Sequence, residues 1–149
     1  MRRLTSHFFH PLSSLIPASS SDNGSVYLWD VNTRQLLHPF REVHQAPATG
    51  LTFSTLNEMF MLSAGLDNNI VCYDVRERKT LKTISTEHCL SALDLMPDGV
   101  TLAVGSTRGK ILIFDLRKGN TPIKAFNAHK DKVHKLAFQK CGSKRYDDL

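Results

Sequence analysis

The stretch LSAGLDNNIVCYD (62–74) joins two apolar runs through a short polar turn and ends in an aromatic residue followed by an aspartate. Its features recur along the chain at intervals of 44 and 41 residues. Three series of positions share these intervals: the aromatic residues Trp29, Tyr73 and Phe114, the histidines His44, His88 and His129, and the turn residues Asn23, Asp67 and Arg108. Agreement between three series indicates an internal repeat.

The length of the repeat predicts the fold class. A period of roughly 40–45 residues that ends in an aromatic–Asp pair is typical of a WD-repeat blade, a four-stranded antiparallel sheet of a β-propeller. We therefore predict an all-β propeller fragment of about three blades and one extra strand. The predicted units are a first blade at residues 1–42 without a leading histidine loop, a second blade at 43–86, a third blade at 87–128, the first strand of a fourth blade at 129–140 and an irregular tail at 141–149. Because propellers close with roughly four to eight blades, we expect a piece of a longer propeller.

The opening of the chain, MRRLTSHFFHPLSSLIPASSS, has two interpretations. It contains no acidic residue and is rich in serine, as transit peptides are. Pro11 and Pro17 would break the amphipathic helix that such a peptide needs. We therefore favour two blade strands, RRLTS and LSSLIPASS.

Charge and cysteine content narrow the class of function. The net charge of +5 is uneven, because residues 1–75 carry 4 basic and 6 acidic side chains whereas residues 76–149 carry 15 and 8. The basic residues are interleaved with predicted strands and lack the aromatic residues of a nucleic-acid stacking platform. The three cysteines have no metal-ligand spacing and accompany no secretory signal, which indicates a reducing compartment. No apolar run approaches the roughly 20 residues of a membrane span. Because the chain lacks both such a run and the aromatic residues of a stacking platform, we expect neither a membrane nor a nucleic-acid partner.

The second unit holds residue types that can form a buried hydrogen-bond network. In WD repeats a loop histidine, a turn aspartate, a strand hydroxyl and a strand aromatic residue can be linked, which rigidifies the blade when every polar group is satisfied. We predict this network at His44, Asp67, Ser63 and Tyr73. The same residue types could form a catalytic triad. A repeated structural position is a sufficient explanation, so we predict no catalytic residue and no enzyme activity.

The other two units lack parts of this network. In the third unit His88 is present, but Arg108 replaces the acid and Phe114 cannot form a hydrogen bond. The first unit has Asn23 and Trp29 without a histidine. The histidines of different units would lie in different blades, too far apart to share a metal ion. We therefore expect no metal site and no cofactor.

Longer strings resemble one family of WD-repeat proteins. They are similar to consecutive blades of the neural-precursor-expressed, developmentally down-regulated WD-repeat family, whose members target the γ-tubulin ring complex. The resemblance covers roughly residues 1–139, and the order of its strings is more specific than a general WD-repeat pattern. The strings are SDNGSVYLWDVN, VHQAPATGLTFS, GLDNNIVCYD, MPDGVTLAVGSTRGKI and AHKDKVHKLAFQ.

The resemblance implies a function in microtubule nucleation. Members of that family bring the γ-tubulin ring complex to centrosomes, spindle poles and spindle microtubules in mitosis. Their propeller is associated with localisation and docking, whereas a helical, oligomeric C-terminal region binds the ring complex. The resemblance therefore implies a non-enzymatic scaffold of the cytoplasm and cytoskeleton, at the centrosome or spindle pole. We expect this chain to hold part of the docking half and to lack the γ-tubulin-binding half.

Three basic residues are candidates for the docking contact. Arg108 lies in the predicted turn between the second and third strands of a blade, and Lys130 and Lys132 lie in a predicted loop between blades. In a propeller these turns and loops emerge at one face. We therefore expect the three charges to cluster there and to attract an acidic protein partner.

A second interpretation places the chain among the substrate receptors of cullin-RING ubiquitin ligases. LSAGLDNNIVCYDVR (62–76) resembles the box of these WD-repeat receptors, which ends in aromatic-Asp-x-Arg, and FDLR (114–117) repeats that ending. This resemblance implies Arg76 and Arg117 as contacts with the ligase adaptor. Because Asp-x-Arg after the third strand is common in WD repeats, the ligase interpretation is the alternative.

Overall fold

The structure, a computed structural model, describes residues 16–139, which form strands, turns and loops. The predicted strand RRLTS, residues 12–15 of the predicted strand LSSLIPASS and the predicted tail at 141–149 lie outside these residues. Within the described range no helix is long and apolar enough to cross a membrane. The strands pair antiparallel in three separate sheets, so the predicted all-β propeller blades are confirmed.

Each sheet is built from strands that follow one another in the chain. The first blade consists of β1 (Ala18–Ser20), β2 (Val26–Asp30) and β3 (Gln35–Phe40). The second blade consists of β4 (Ala48–Phe53), β5 (Phe60–Gly65), β6 (Asn69–Asp74) and β7 (Lys79–Ser85). The third blade consists of β8 (Leu90–Leu95), β9 (Thr101–Ser106), β10 (Lys110–Asp115) and β11 (Lys124–Asn127). The strands of the second and third blades lie within the predicted units 43–86 and 87–128.

Two apolar cores lie between the blades. Met61 and Tyr73 of the second blade pack against Val26, Leu28 and Phe40 of the first. Successive residues of a strand point to opposite faces of the sheet. The alternate residues of β5 and β6 therefore form the other core with the third blade: Leu62, Ala64, Ile70 and Cys72. Both faces of the second blade are thus buried, which explains why its strands are almost continuously apolar.

Hydrogen bonds repeat the same contact from one blade to the next. Thr49 Oγ1 donates to the carbonyl oxygen of Leu90 at 2.8 Å, and Ser91 Oγ donates to the carbonyl oxygen of Val133 at 2.6 Å. Each hydroxyl lies at the start of the first strand of its blade, and each acceptor follows in the next unit. These bonds fix the register between neighbouring units and make Val133 the counterpart of Leu90.

Residues 129–139 differ from the predicted first strand of a fourth blade. No strand is assigned to them, although Val133 N donates to the carbonyl oxygen of Ser106 at 3.1 Å and Val133 is buried. In the second and third blades the first strand pairs with the second strand of its own blade. The described residues contain no such partner for 129–139, so this segment contacts the third blade without completing a strand pair.

Candidate functional site

The second blade contains a continuous hydrogen-bond chain in its interior. His44, in the loop between β3 and β4, places Nδ1 2.9 Å from Asp67 Oδ1 and Nε2 2.6 Å from Ser63 Oγ. The Ser63 hydroxyl also lies 2.7 Å from the Tyr73 hydroxyl. The structure thus brings together the four side chains that the sequence predicted for the network.

The Asp67 carboxylate binds both the imidazole and the backbone of the histidine loop. Its Oδ2 accepts a hydrogen bond from Gln45 N at 3.0 Å and another from Asn69 Nδ2 at 3.1 Å. Burial of Asp67 favours the neutral acid, but hydrogen bonds from Gln45 N and His44 outweigh it and hold the pKa of Asp67 below its usual value. An ionised Asp67 therefore faces His44 at neutral pH.

The order Asp67–His44–Ser63 matches that of a hydrolase triad, but the hydroxyl is inaccessible. Ser63 is 0% exposed and His44 is 1% exposed, so a substrate cannot reach Ser63 Oγ in this structure. Burial raises the pKa of Tyr73 well above its usual value, which keeps the phenol neutral next to Ser63. Among residues 16–139 no cluster of three or more side chains is suited to hold a metal ion. The arrangement is suited to stabilising the blade.

Gly65 makes room for the network at the end of β5. A Cβ atom at this position would lie 2.6 Å from both His44 Nδ1 and Asp67 Oδ1. Real Cβ atoms do not approach other atoms so closely, so a larger residue would displace the imidazole or the carboxylate. His44 can therefore be buried in this orientation because residue 65 is a glycine.

The third blade has an apolar pair where the second blade has its hydroxyls. Val104 and Phe114, in the strand positions of Ser63 and Tyr73, are both buried. Ser106 stands at the position of Gly65, and its hydroxyl accepts hydrogen bonds from the N–H groups of Arg108 at 3.2 Å and Lys110 at 2.9 Å. A serine thus caps the turn that Asp67 caps in the second blade.

The prediction that His88 is the counterpart of His44 is wrong. His44 N donates to the carbonyl oxygen of Gly24 at 3.0 Å, and His129 N donates to that of Gly109 at 3.0 Å. The residue that makes this bond in the intervening loop is Thr86, whose N–H donates to the carbonyl oxygen of Asn68 at 2.8 Å. The segment from the aromatic residue to this position is two residues shorter between Tyr73 and Thr86 than between Trp29 and His44. The shared spacing of the histidines therefore did not identify the equivalent residue.

The first blade contains a hydroxyl–aromatic pair that the sequence interpretation did not name. Trp29 Nε1 donates to Ser19 Oγ at 2.8 Å, as Tyr73 and Ser63 are paired in the second blade. Trp29 is 37% exposed whereas Tyr73 is 0% exposed. The signal was available in the sequence, because Ser19 and Ser63 are separated by the same 44 residues as the two aromatic residues.

The predicted basic residues lie where one turn meets one loop. The carbonyl oxygen of Gly109 accepts hydrogen bonds from Ala128 N at 2.9 Å and His129 N at 3.0 Å, which holds the turn after Arg108 against the loop before Lys130. Arg108, Lys130 and Lys132 are all exposed. We call this surface the basic edge. A Cβ at Gly109 would lie 2.0 Å from the carbonyl oxygen of His129, so the contact requires glycine.

A polar cavity of about 180 Å³ lies beside Arg108, between the second and third blades. We call it the Arg108 cavity, and its lining residues are Asn68, Glu87, His88, Cys89, Ser106, Thr107 and Arg108. A second cavity, of about 350 Å³, shares Glu87 and His88 with it. The Oδ1 atom of Asn68 is buried and has no hydrogen-bond partner.

Arg76 and Arg117, the predicted contacts with the ligase adaptor, are both exposed. Arg117 is hydrogen-bonded to the aspartate of its own Asp-x-Arg motif. Arg117 Nε lies 3.1 Å from Asp115 Oδ1, and Arg117 Nη2 lies 3.0 Å from Asp115 Oδ2. These hydrogen bonds lower the pKa of Asp115 to about 2. A partner that used Arg117 would have to share it with Asp115. Arg76 lies at the matching position after β6.

Comparison with known proteins agrees with the fold and with the resemblance described above. Residues 4–146 match the family described as nucleolar protein 10-like, N-terminal domain, whose model is that of a β-propeller. Protein NEDD1 of Homo sapiens is 50% identical over 121 residues, and Protein NEDD1 of Mus musculus is 49% identical over the same length. Each match covers 81% of this chain and 18% of the relative. The predicted resemblance to the neural-precursor-expressed, developmentally down-regulated family is thereby confirmed.

A more distant relative carries a different name. E3 ubiquitin-protein ligase COP1 of Arabidopsis thaliana is 30% identical over 122 residues, which is 81% of this chain and 18% of that protein. The chain therefore spans about a fifth of the length of these curated relatives, where the matched share is 18% in each case.

Proposed function

We propose that this chain, which belongs to the family of nucleolar protein 10-like N-terminal β-propeller domains, is a non-enzymatic docking scaffold. Its proposed task is to help place the γ-tubulin ring complex at centrosomes or the spindle by binding an acidic protein there. The observation that carries the proposal is the basic edge, where three exposed cations stand on a turn and a loop held together through Gly109.

The physical argument concerns how the basic edge presents its charge. Flexible surface charges lose conformational entropy when they bind, whereas charges on a hydrogen-bonded turn lose less. Cations grouped on one surface also speed the encounter with an acidic partner, and this attraction is screened by salt. The buried state of Ser63 and His44 supports a scaffold, because the triad-like side chains serve the interior of the blade.

The connection to microtubule nucleation rests on the similarity to Protein NEDD1 and on what the family resemblance implies. We propose that these blades supply docking surface and that binding of the ring complex itself resides outside them. The two activities should therefore separate when the basic edge is altered.

The test is to reverse the charge of the basic edge in the complete natural protein with Arg108→Glu, Lys130→Glu and Lys132→Glu. We expect the triple variant to lose most of its localisation at centrosomes or spindle poles and to keep its co-precipitation of γ-tubulin. Loss of γ-tubulin co-precipitation in the triple variant, or recovery of γ-tubulin by this 149-residue chain alone, would contradict the proposed division of labour.

A matched control exists at the opposite edge of the blades. Arg34, Lys79 and Lys118 are exposed. Arg34 lies between β2 and β3, Lys118 lies between β10 and β11, and Lys79 is the first residue of β7 at the matching end of the second blade. Changing these three residues to glutamate alters the net charge by the same amount. We expect this control variant to localise normally, and equal losses in the two variants would show that overall charge, not the basic edge, matters.

The ligase function remains the second candidate, because one relative is named an E3 ubiquitin-protein ligase and because Arg76 and Arg117 occupy repeated positions. If the chain is a substrate receptor, a cullin-ligase adaptor should co-precipitate with the complete protein. That adaptor should be lost with Arg76→Ala and Arg117→Ala and retained when the basic edge is reversed.

A further inference from the structure

The Arg108 cavity occupies a position where the second blade has a carboxylate. In the second blade Asp67 Oδ2 accepts the N–H of Gln45, the residue that follows His44. Because Thr86 is the counterpart of His44, Glu87 is the counterpart of Gln45. Arg108 is the counterpart of Asp67. The third blade therefore retains the backbone donor and has a cation where the second blade supplies the anion.

The backbone donor in the third blade has no partner within the described chain. The structure records no hydrogen bond to the N–H of Glu87, which lies in the loop between β7 and β8. Nor does it record an ion pair for the Arg108 guanidinium among residues 16–139. Glu87 and Arg108 both line the Arg108 cavity, and neither the Glu87 N–H nor the Arg108 guanidinium, which would suit a carboxylate, has a recorded partner among residues 16–139.

The rest of the lining explains why the cavity is open. Thr86 is smaller than His44, and Ser106 fills part of the space that the imidazole and Asp67 share beside Gly65. What remains is the volume of about 180 Å³. His88, two residues beyond Thr86, and Asn68 complete this side of the lining. A carboxylate, as in an aspartate or glutamate residue of a peptide, matches a guanidinium and a backbone N–H as donors.

We propose that the Arg108 cavity binds the carboxylate of one aspartate or glutamate side chain from an acidic segment of a partner protein. Arg108 and the N–H of Glu87 are its donors, and it takes the place that Asp67 holds in the second blade. This inference rests on the proposed docking function and names the anchor within it. The side chain of Glu87 also lines the cavity and opposes the ligand, so its removal should strengthen binding.

Cys89 provides a probe, because it is a free, exposed cysteine among the lining residues of the cavity. Iodoacetate and iodoacetamide both alkylate a thiolate with loss of iodide, and only iodoacetate carries a carboxylate. The ratio of their rates at Cys89 therefore reports attraction of a carboxylate, because both reagents react with the same thiolate. Mass spectrometry of the peptide that contains Cys89 gives both rates in the complete natural protein. Cys72 is buried, and burial raises its pKa to about 11, so it should remain unmodified.

The rate ratio should be about fivefold higher at Cys89 than at the thiol of N-acetylcysteine amide, as one charge pair near a protein surface would give. Arg108→Gln should abolish this excess, and Glu87→Gln should increase it. Lys130→Gln removes one charge from the basic edge outside the cavity and should change the ratio less than about twofold. An unchanged ratio in Arg108→Gln, or an equal decrease in Lys130→Gln, would overturn the proposal. Far-UV circular dichroism of each variant checks that the fold is kept.

The outcome is separable from the test of the proposed function. A carboxylate preference that depends on Arg108, together with normal localisation of the triple variant, would support the cavity and reject the docking function. Loss of localisation in the triple variant without a carboxylate preference at Cys89 would support the docking function and reject the cavity.

Discussion

The second and third blades fill the same positions with two different sets of residues. The second blade combines a buried imidazole, an acid, two hydroxyls and a glycine, and every polar member has a partner. The third blade has Val104 and Phe114 in place of the two hydroxyl-bearing residues, Thr86 in place of the histidine and Ser106 in place of the glycine. The residues change as a set, because a buried polar group that loses its partner is costly whereas an apolar pair of similar shape is not.

The same comparison explains why only one of these blades offers charge to a partner at this turn. In the second blade the carboxylate of Asp67 is hydrogen-bonded to His44, Gln45 and Asn69. In the third blade the turn is capped by Ser106 instead, which leaves the Arg108 side chain exposed. Asp67, which stabilises the second blade, thus corresponds to Arg108, the residue that we propose binds a partner in the third blade.

The largest effect should come from placing the third-blade residue into the second blade with Gly65→Ser. The new Cβ would meet the ring of His44 and the carboxylate of Asp67, so the network must break or shift. We expect a decrease of about 3 kcal/mol in the free energy of unfolding, from overpacking and lost buried hydrogen bonds. Chemical denaturation of the complete protein, followed by circular dichroism, measures it.

The reciprocal change, Ser106→Gly, is the control for Gly65→Ser. It removes the hydroxyl that accepts two hydrogen bonds in the turn and creates no clash, so we expect a decrease of only about 1 kcal/mol. Equal decreases for the two variants would show that the two blades do not differ in the way the geometry indicates.

The repeat predicted the strands and the three network members that lie in β5, in β6 or in the turn between them. Ser63, Asp67 and Tyr73 are fixed by alternation along β5 and β6 and by the turn between them. Loops follow no such rule. Residues that share a spacing in a loop need not contact the same carbonyl group, which is why Thr86 and not His88 corresponds to His44. The Arg108 cavity depends on that loop and on Ser106, so spacing alone could not have indicated it.

The second-largest effect on stability should distinguish Asp67 of the network from Arg108, its counterpart in the third blade. Asp67→Ala leaves His44 and the N–H of Gln45 without their partner, so we expect a loss of about 2 kcal/mol in the free energy of unfolding. Arg108→Ala should cost less than about 0.5 kcal/mol, because the exposed guanidinium satisfies no buried group. Both values come from denaturation of the two variants under identical conditions. Losses of similar size would reject the difference in role between the two turn residues.

The smallest effect concerns the dependence of stability on pH. The pKa of Asp67 is lower in the folded chain than in the unfolded chain, where it is about 3.9. Its contribution is therefore present above the unfolded pKa and is lost as the pH falls through the folded pKa. Asp67→Asn removes this titration, so the difference in the free energy of unfolding between the natural protein and Asp67→Asn should shrink as the pH falls from 6 towards 2. The pKa of Asp98 and of Asp115 is also lowered, but both residues are present in both proteins and cancel in the difference.

A difference that stays constant over this range would mean that the Asp67 carboxylate is not stabilised by the network. Arg108→Gln, which removes no acid, should give a constant difference and serves as the third-blade control.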